Sequence, residues 1–517
     1  MRREDERAEL ARRSELALKM GGADQIQRQH DHGKLTARER VSKLADHGSF
    51  REFGLLAGTG HYEDHRLTGF TPKNEVTGFI RLAGRQAVVV AGDFTIRGGS
   101  GGRNSGGMGQ ELSATRRALE WRVPYIRLLD AAGGSVAAFA DMGRTYLPDG
   151  NAWAIYDVQL LQTVPVAAAV LGSVAGLPAI NACLAHFNVM VRGTAQLFPG
   201  GPPVVKAALG LDISKEELGG SQVHTQRNGV VDNVALDEED ALSQIRSFLS
   251  YLPSSVTEMP PRADPVEPAV AAERLRAVVP ESPRRPFNVY EILGAALDED
   301  SFFEIGPDYG KSRVTGLGRV NGFPIGVMAN NPRHLGGATD VAAGTKAMRL
   351  IQLCDLFHLP LVTFADEPGF AVGPESERQG IERAGASLVW TTCSSRMPWL
   401  TFVISRLFGV AGQCQHRPTG MFRRYAWPSA RWGSMHIAGG VSAAYRRVIE
   451  AADDPEAKRK EIEAELDALA SPFLTAEATG QDIIDPAQTR ELLIEFVTDA
   501  QRVLTTQVAI PGMPYRP

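Results

Sequence analysis

Small residues follow several apolar runs in this 517-residue sequence, where they could present main-chain N–H groups to a ligand. Two of these turns are Arg97-Gly98-Gly99 and Ala132-Gly133-Gly134, and two more lie within Asn330–Gly337 and Phe408–Gly412. A strand that ends in small residues and enters a helix leaves free N–H groups at the positive end of the helix. Two such amides can hold the oxygen of a developing enolate. The turns therefore indicate chemistry in which main-chain donors stabilise negative charge.

Side-chain nucleophiles and metal ligands show none of the usual spacings. The sequence has no H-E-x-x-H, no G-x-x-x-x-G-K-[ST] phosphate loop and no G-x-G-x-x-G after a strand. Its four cysteines form no C-x-x-C pair, so we expect no zinc ribbon, no disulfide framework and a reducing compartment. Asp130 and Asp366 end apolar runs and could be general bases or could cap turns. We predict no bound metal and a mechanism without a dedicated side-chain base.

The elements that carry these turns repeat once along the chain. Matching landmarks are separated by 236 to 238 residues: Asp130 and Asp366, Gly172 and Gly409, Gly98 and Gly336. Continuous apolar runs such as Val166–Val170 predict strands buried on both faces, and helical spacing predicts a helix over Ala343–Phe357. A duplicated α/β domain is the simplest interpretation, and two unrelated α/β domains with a similar rhythm are the alternative.

Composition and charge narrow the class of protein. With 43% hydrophobic and 22% charged residues, the chain is typical of a folded globular protein. The net charge is −5 without a basic block, so we expect no nucleic-acid partner. No uninterrupted apolar run is long enough to span a membrane, and the charged first residues are unlike a secretion signal, so we expect a cytoplasmic protein without membrane contact.

Prolines concentrate over residues 253–286, which predicts a linker and two domains, 1–265 and 266–517.

Several longer motifs resemble one family. The segment Met20–Arg40, with Gly33-Lys34-Leu35-Thr36-Ala37-Arg38-Glu39-Arg40, is similar to the opening of the carboxyltransferase β subunits of biotin-dependent acyl-CoA carboxylases, of the propionyl-, methylcrotonyl- and acetyl-CoA carboxylase type. Asp93-Phe94-Thr95, Ala329–Pro332 and Tyr425–Pro428 also resemble this family. The matches follow the family's order from about residue 15 to residue 495.

The resemblance implies an α/β fold of tandem crotonase-like (ClpP/crotonase) ββα-spiral domains, one per half, in a homotrimer or homohexamer. It implies a carboxyltransferase that moves CO2 from carboxybiotin to the α-carbon of an acyl-CoA thioester. The carboxybiotin would be carried by a partner chain, the biotin carboxylase/biotin carrier α subunit. Enolates of biotin and of the thioester both need amide pairs, which fits two sets of glycine turns.

The resemblance also assigns roles to residues. Domain 1–265 would take the acyl-CoA and domain 266–517 the biotin. The catalytic amides would come from Ala132, Gly133 and Gly134 in the first domain and from Val410 and Ala411 in the second. The expected CoA-binding residues are Arg97, Gly98, Gly99, Gly172, Ala175 and Gly176. The expected biotin-binding or acyl-pocket residues are Gly369, Phe370, Gly409, Gly412 and Gln413.

Some positions depart from the family pattern, mainly in the second half. Gln413 stands where the family usually has an acid, and Glu367 stands where it has Val. Two other functions therefore stay open. One is a malonyl-type acyl-CoA decarboxylase, or another acyl-CoA-processing enzyme on the same fold, possibly independent of biotin. The other is a non-catalytic scaffold subunit.

Overall fold

The computed structural model describes residues 3–100, 109–134, 143–145, 152–282, 285–417, 419–435, 437–508, 510 and 512–517. The chain divides into two compact units, Met1–Glu258 and Met259–Arg516. Each unit contains one large mixed sheet with helices packed on it.

The N-terminal unit is built around a seven-stranded sheet in the order β1-β4-β5-β6-β7-β9-β11. Its strands are β1 Arg51–Glu52, β2 Gly58–Glu63, β3 Arg66–Pro72, β4 Glu75–Leu82, β5 Arg85–Gly92, β6 Tyr125–Leu129, β7 Val166–Val170, β8 Ser173–Ala175, β9 Phe187–Val191, β10 Gln196–Phe198 and β11 Asn233–Ala235. Strands β1, β4 and β5 pair antiparallel, whereas β5 through β11 pair parallel. Strands β2 and β3 form a hairpin, and β8 and β10 form a short parallel pair.

Helices cover this sheet and precede it in the chain. They are α1 Arg3–Leu18, α2 Ala23–Asp31, α3 Ala37–Leu44, α4 Gly109–Trp121, α5 Ala152–Leu161, α6 Leu177–Cys183, α7 Pro202–Leu209, α8 Lys215–Gly219 and α9 Glu238–Ser250. Helix α3 begins at a capping box in which Thr36 and Glu39 bond each other's backbone. All five residues of β7 are fully buried, as its continuous apolar run predicts.

The C-terminal unit repeats this plan. Its strands are β12 Phe303–Glu304, β13 Arg313–Val320, β14 Phe323–Asn330, β15 Leu361–Glu367, β16 Trp399–Phe408, β17 Phe422–Ala426, β18 Arg431–Gly433 and β19 Asp482–Ile483. The sheet order is β12-β13-β14-β15-β16-β17-β19, with β18 added to β16. The first three strands again pair antiparallel and the later ones parallel.

The helices of the C-terminal unit follow the same rhythm. They are α10 Val289–Ala296, α11 Val341–Leu356, α12 Pro374–Gln379, α13 Ile381–Ser394, α14 Gly409–Gln413, α15 Ile437–Ala444, α16 Arg446–Glu450, α17 Pro455–Leu469, α18 Pro472–Thr479 and α19 Thr489–Gln507. Asp340 caps α11 by accepting a hydrogen bond from the Ala343 N–H. The two sheets match strand by strand in order and direction, which confirms the predicted duplication.

The N-terminal stretch forms two helices, α1 and α2, because the chain turns at Gly21-Gly22, where Gly22 has φ +90°.

The Pro-rich stretch differs from the sequence-based expectation of a linker. The Pro-rich stretch contains a 3₁₀ helix at Ala272–Ala277 that buries Leu275, and Arg276 pairs with Asp485. That part of the stretch is therefore packed within the C-terminal unit rather than extended. Residues 283–284 of the stretch lie outside the described residues.

Candidate active site

The turn after the second long strand has the same backbone in both units. Arg97 and Gly98 have φ of +53° and +62°, and Leu335 and Gly336 have φ of +48° and +59°. The residue that follows is Gly99 in one unit and Gly337 in the other. A Cβ on Gly99 would lie 2.8 Å from the carbonyl oxygen of Asp130, and a Cβ on Gly337 would lie 2.9 Å from that of Asp366. Both positions need glycine because the backbone of the neighbouring strand end passes directly over them.

Each of these turns is joined to the next turn of its own unit. A parallel bridge links Ser100 to Gly133, and another links Thr339 to Phe370. In the second bridge the Thr339 N–H donates to the Gly369 carbonyl at 3.1 Å, and the Ala371 N–H donates to the Thr339 carbonyl at 2.9 Å. The structure thus brings Arg97, Gly98 and Gly99 beside the Ala132–Gly134 turn.

The acid at the first strand end is neutralised by cations from the N-terminal arm. Asp130 is fully buried and accepts hydrogen bonds from Lys34 Nζ at 2.9 Å, Arg40 Nη2 at 3.1 Å and Gln29 Nε2 at 2.9 Å. Arg40 also pairs with Glu238. Both oxygens of the Asp130 carboxylate therefore accept hydrogen bonds within the fold. Of the two roles that the sequence leaves open for Asp130, the geometry favours the structural one.

Asp366 is held in an equivalent way by a residue of the neighbouring strand. Arg406 Nε donates to Asp366 Oδ1 at 2.6 Å, Nη2 donates to Oδ2 at 2.7 Å, and the same Nη2 donates to the Gly336 carbonyl at 2.7 Å. Arg406 therefore fixes the turn at Gly336 to the end of β15. Asp366 is buried and fully paired, so it too is unsuited to be a general base.

The first turn of α14 carries free main-chain donors. Within the described part of the chain, the N–H groups of Val410 and Ala411 have no acceptor, because they precede the first intrahelical hydrogen bonds. Gly409, with φ +64°, turns the chain from β16 into this helix. Val410 is half exposed, whereas Ala411 and Gly412 are buried. Two adjacent amides at a helix N-terminus can hold a developing negative charge.

The equivalent turn of the N-terminal unit is different. Gly176, with φ +68°, rather than the Gly172 of the sequence match, corresponds to Gly409, because each follows directly on the end of a strand. Two residues later Pro178 takes the place of Ala411 and has no N–H. The Ala175 N–H donates to the Ala131 carbonyl at 3.1 Å, and the Gly176 N–H donates to the Phe198 carbonyl at 3.3 Å. The N–H groups of Ala175 and Gly176 are thus bonded within the fold. The missing N–H of Pro178 was not predicted from the sequence.

The other predicted site residues have mixed surroundings. Gly369 donates its N–H to Glu367 Oε1 at 3.1 Å, and the Phe370 ring packs on α13 at Gly385. Gly412 lies against the backbone of Leu407, so it packs α14 onto β16. Gln413 is exposed at the end of α14. Gly172 lies against the Asp130 carboxylate.

A buried polar network behind these turns was missed by sequence reasoning. Glu367 and Arg313 form a fully buried ion pair at 2.7 Å, which also binds Asn330, Thr339 and Gln415. The signal in the sequence was Glu367 at the end of an otherwise apolar strand. Its partner could not be identified because Arg313 is 54 residues away in the chain.

One histidine near α14 is held neutral. Burial and the positive charge of Arg424 lower the pKa of His416 to about 4. Its ring stacks on Phe422 with centroids 5.2 Å apart.

Among the described residues no group of three or more His, Cys, Asp or Glu side chains could hold a metal ion. No helix in the described ranges is long and apolar enough to cross a membrane.

Comparison with known proteins agrees with this geometry. Residues 28–505 match the carboxyl transferase domain family. The propionyl-CoA carboxylase carboxyltransferase subunit of Haloferax mediterranei is 36% identical, with 96% of each chain covered. The methylmalonyl-CoA decarboxylase subunit alpha of Veillonella parvula is 30% identical, with 95% of this chain and 94% of that protein covered.

Solved structures show the same likeness. The transcarboxylase 12S crystal structure, a hexamer assembly with methylmalonyl-coenzyme A and methylmalonic acid bound, superposes with a TM-score of 0.86 at 29% identity. The superposition covers 100% of this chain and 97% of that chain. This likeness confirms the predicted tandem crotonase-like fold, one domain per half. The chain therefore belongs to the carboxyl transferase family, as an acyl-CoA carboxyltransferase similar to the β subunits of acyl-CoA carboxylases.

Proposed function

We propose that this carboxyltransferase moves a carboxyl group between biotin and the α-carbon of a short acyl-CoA, with main-chain amides holding the enolate oxygens. The proposal rests on the pair of free N–H groups at Val410 and Ala411. In the neighbouring turn the carboxylate of Asp366 is paired with Arg406. Such a site can stabilise an oxyanion but offers no free side-chain base to accept the α-proton. The α-proton would then have to leave to the other substrate.

In this proposal the C-terminal domain, 266–517, receives biotin at α14. The α14 amides fit a ureido oxygen because they are adjacent and unpaired within the described residues. Gly409 and Gly412 shape the turn, while Gly369, Phe370 and Gln413 lie on the neighbouring turns or at the helix end. Carboxybiotin, when bound, would supply the carboxyl group.

The N-terminal domain, 1–265, would receive the acyl-CoA thioester. Ala132, Gly133 and Gly134 would face the thioester carbonyl, and the exposed Arg97 with Gly98 and Gly99 would approach the phosphates. Gly172, Ala175 and Gly176 would shape this site by allowing close packing, since the amides of Ala175 and Gly176 are already bonded. The choice of a propionyl- or methylmalonyl-type CoA follows the names of the similar proteins.

Biotin would arrive on a partner chain, the biotin carrier α subunit, in a cytoplasmic complex. The 12S relative is a hexamer, and we propose a hexamer or trimer of this chain as well.

The proposal is tested with the purified chain, methylmalonyl-CoA or malonyl-CoA, and free biotin as acceptor. We expect carboxybiotin and the decarboxylated CoA ester to form together, and only when biotin is present. Release of CO2 from these thioesters at the same rate without biotin would instead identify a biotin-independent decarboxylase. Absence of thioester binding in calorimetry would favour a scaffold subunit.

A further inference from the structure

One buried carboxylate is hydrogen-bonded, directly or through one intervening side chain, to each glycine turn of the C-terminal candidate site. Glu367 Oε2 accepts hydrogen bonds from Arg313 Nη2 at 2.7 Å, Thr339 Oγ1 at 2.6 Å and Gln415 Nε2 at 2.9 Å. The same oxygen accepts from Asn330 Nδ2 at 3.0 Å, and Oε1 accepts from the Gly369 N–H at 3.1 Å. Five donors therefore converge on a side chain with no exposed surface.

The donors come from all parts of the site. Asn330 Nδ2 also donates to the Gly337 carbonyl at 2.9 Å, which ties the turn after β14 to Glu367. Thr339 and Gly369 belong to the bridge between that turn and the turn after β15. Gln415 Nε2 also donates to the Ala411 carbonyl at 3.3 Å, which connects the network to α14.

Arg313 supplies the charge that allows this arrangement in a dry interior. Its Nη1 donates to Gln415 Oε1 at 2.7 Å and to Asn330 Oδ1 at 3.2 Å, so it orients both amides toward the carboxylate. A buried ion pair of this kind is weak evidence for stability, because an apolar pair of similar volume can be as stable. The ion pair does fix the orientation of the surrounding side chains, since each N–H or O–H of the network points to a defined acceptor.

We propose that Glu367 is a positioning residue for carboxyl transfer: its carboxylate, paired with Arg313, sets the relative placement of the glycine turns at 336–339 and 369–370 and of the amides of α14. It touches no substrate and acts through Thr339, Gly369 and Gln415. The inference rests on the proposed function, because it assigns the C-terminal turns to the reacting substrate.

The test replaces the carboxylate by an amide of the same size. In Glu367→Gln an NH2 group must face several donors, so one or more of the turn contacts is lost. We expect kcat of methylmalonyl-CoA-to-biotin transfer to fall by about 100-fold, the size of effect that a displacement of about 1 Å produces. The KM for the CoA thioester should stay within about twofold, since the N-terminal turns are unchanged.

The matched control is Asp298→Asn. Asp298 is a buried carboxylate of the same unit, and it accepts hydrogen bonds from Arg490, Asn321 and Gly322 at the opposite end of β13 and β14. This variant should lower the melting temperature and leave kcat unchanged. Where Glu367→Gln fails to fold, Gln415→Met decides, because it removes the link to Ala411 but keeps the ion pair. It should lower kcat below the wild-type value.

Hydrogen exchange gives a readout that does not depend on activity. The amides of Thr339 and Ala371 should exchange faster in Glu367→Gln, whereas the Ala175 amide of the N-terminal unit should keep its protection. If the wild type shows no biotin-dependent transfer, the proposed function fails, and the exchange result alone decides the positioning role. Wild-type kcat in Glu367→Gln or in Gln415→Met, or unchanged exchange at Thr339 and Ala371, would overturn the inference.

Discussion

At the residue scale, the two equivalent strand-end acids are neutralised by different partners. Asp130 pairs with Lys34 and Arg40 of the N-terminal arm, and Asp366 pairs with Arg406 of the adjacent strand. Both carboxylates are occupied by hydrogen bonds within the fold, so neither is available as a free side-chain base. The sequence placed these acids correctly but could not supply their partners, because Lys34 is 96 residues from Asp130.

His416 gives a pH dependence that can be measured. The pKa of His416 in the folded chain is about 4, below the ordinary 6.5, because of burial and the nearby Arg424. Between these pH values the unfolded chain binds the proton more tightly, so folding stability is complete above pH 6.5 and declines as the pH falls toward 4. We expect the free energy of unfolding to drop by up to about 3 kcal/mol across this window.

The measurement is denaturant unfolding of the wild type and of His416→Phe at several pH values. Phe keeps the stacking on Phe422 but does not titrate, so the variant should lose this part of the pH slope. The same slope in both proteins would show that His416 is protonated normally in the folded state.

At the element scale, local patterns predicted the strands and helices well. The apolar run Val166–Val170 is strand β7, and the helix expected over Ala343–Phe357 is α11, Val341–Leu356. These elements could be predicted because burial and periodicity are encoded within a few residues. Whether an N–H group in a turn is free was harder to predict, since this depends on carbonyl groups far away in the sequence. The Gly176 N–H, for example, donates to the Phe198 carbonyl, and neighbouring residues do not indicate this bond.

The packing of strand ends gives a prediction for Gly172. A Cβ there would lie 2.1 Å from Asp130 Oδ1, in the turn that follows β7. Gly172→Ala should therefore displace Asp130 from Lys34 and Arg40 and lower the free energy of unfolding by about 1–3 kcal/mol. Chemical denaturation measures this change. Gly134→Ala is the matched control, because its Cβ would meet no atom of the described residues within 4 Å, and its stability should remain close to wild type.

At the scale of the whole molecule, the duplicated fold places the same turns in both units but does not make them equal. The sheets match in order, while Pro178 occupies the position of Ala411 and Arg97 that of Leu335. The repeated landmarks in the sequence predicted this architecture. The difference in free amides between the two turns could not be predicted from the repeat, because it depends on single residues such as Pro178.

We propose that backbone N–H groups at α14 stabilise the charge that develops during carboxyl transfer. The variant Ala411→Pro removes one of these groups and therefore tests the proposal. Proline removes one donor without breaking an intrahelical hydrogen bond, and the equivalent turn of the N-terminal unit already contains Pro178. Transfer from methylmalonyl-CoA to free biotin and the melting temperature are measured for the wild type, Ala411→Pro and Ala411→Gly. We predict that kcat falls by about 10²–10³-fold in Ala411→Pro, with little change in melting temperature, while Ala411→Gly stays close to the wild type. A wild-type rate in a well-folded Ala411→Pro protein would contradict the account.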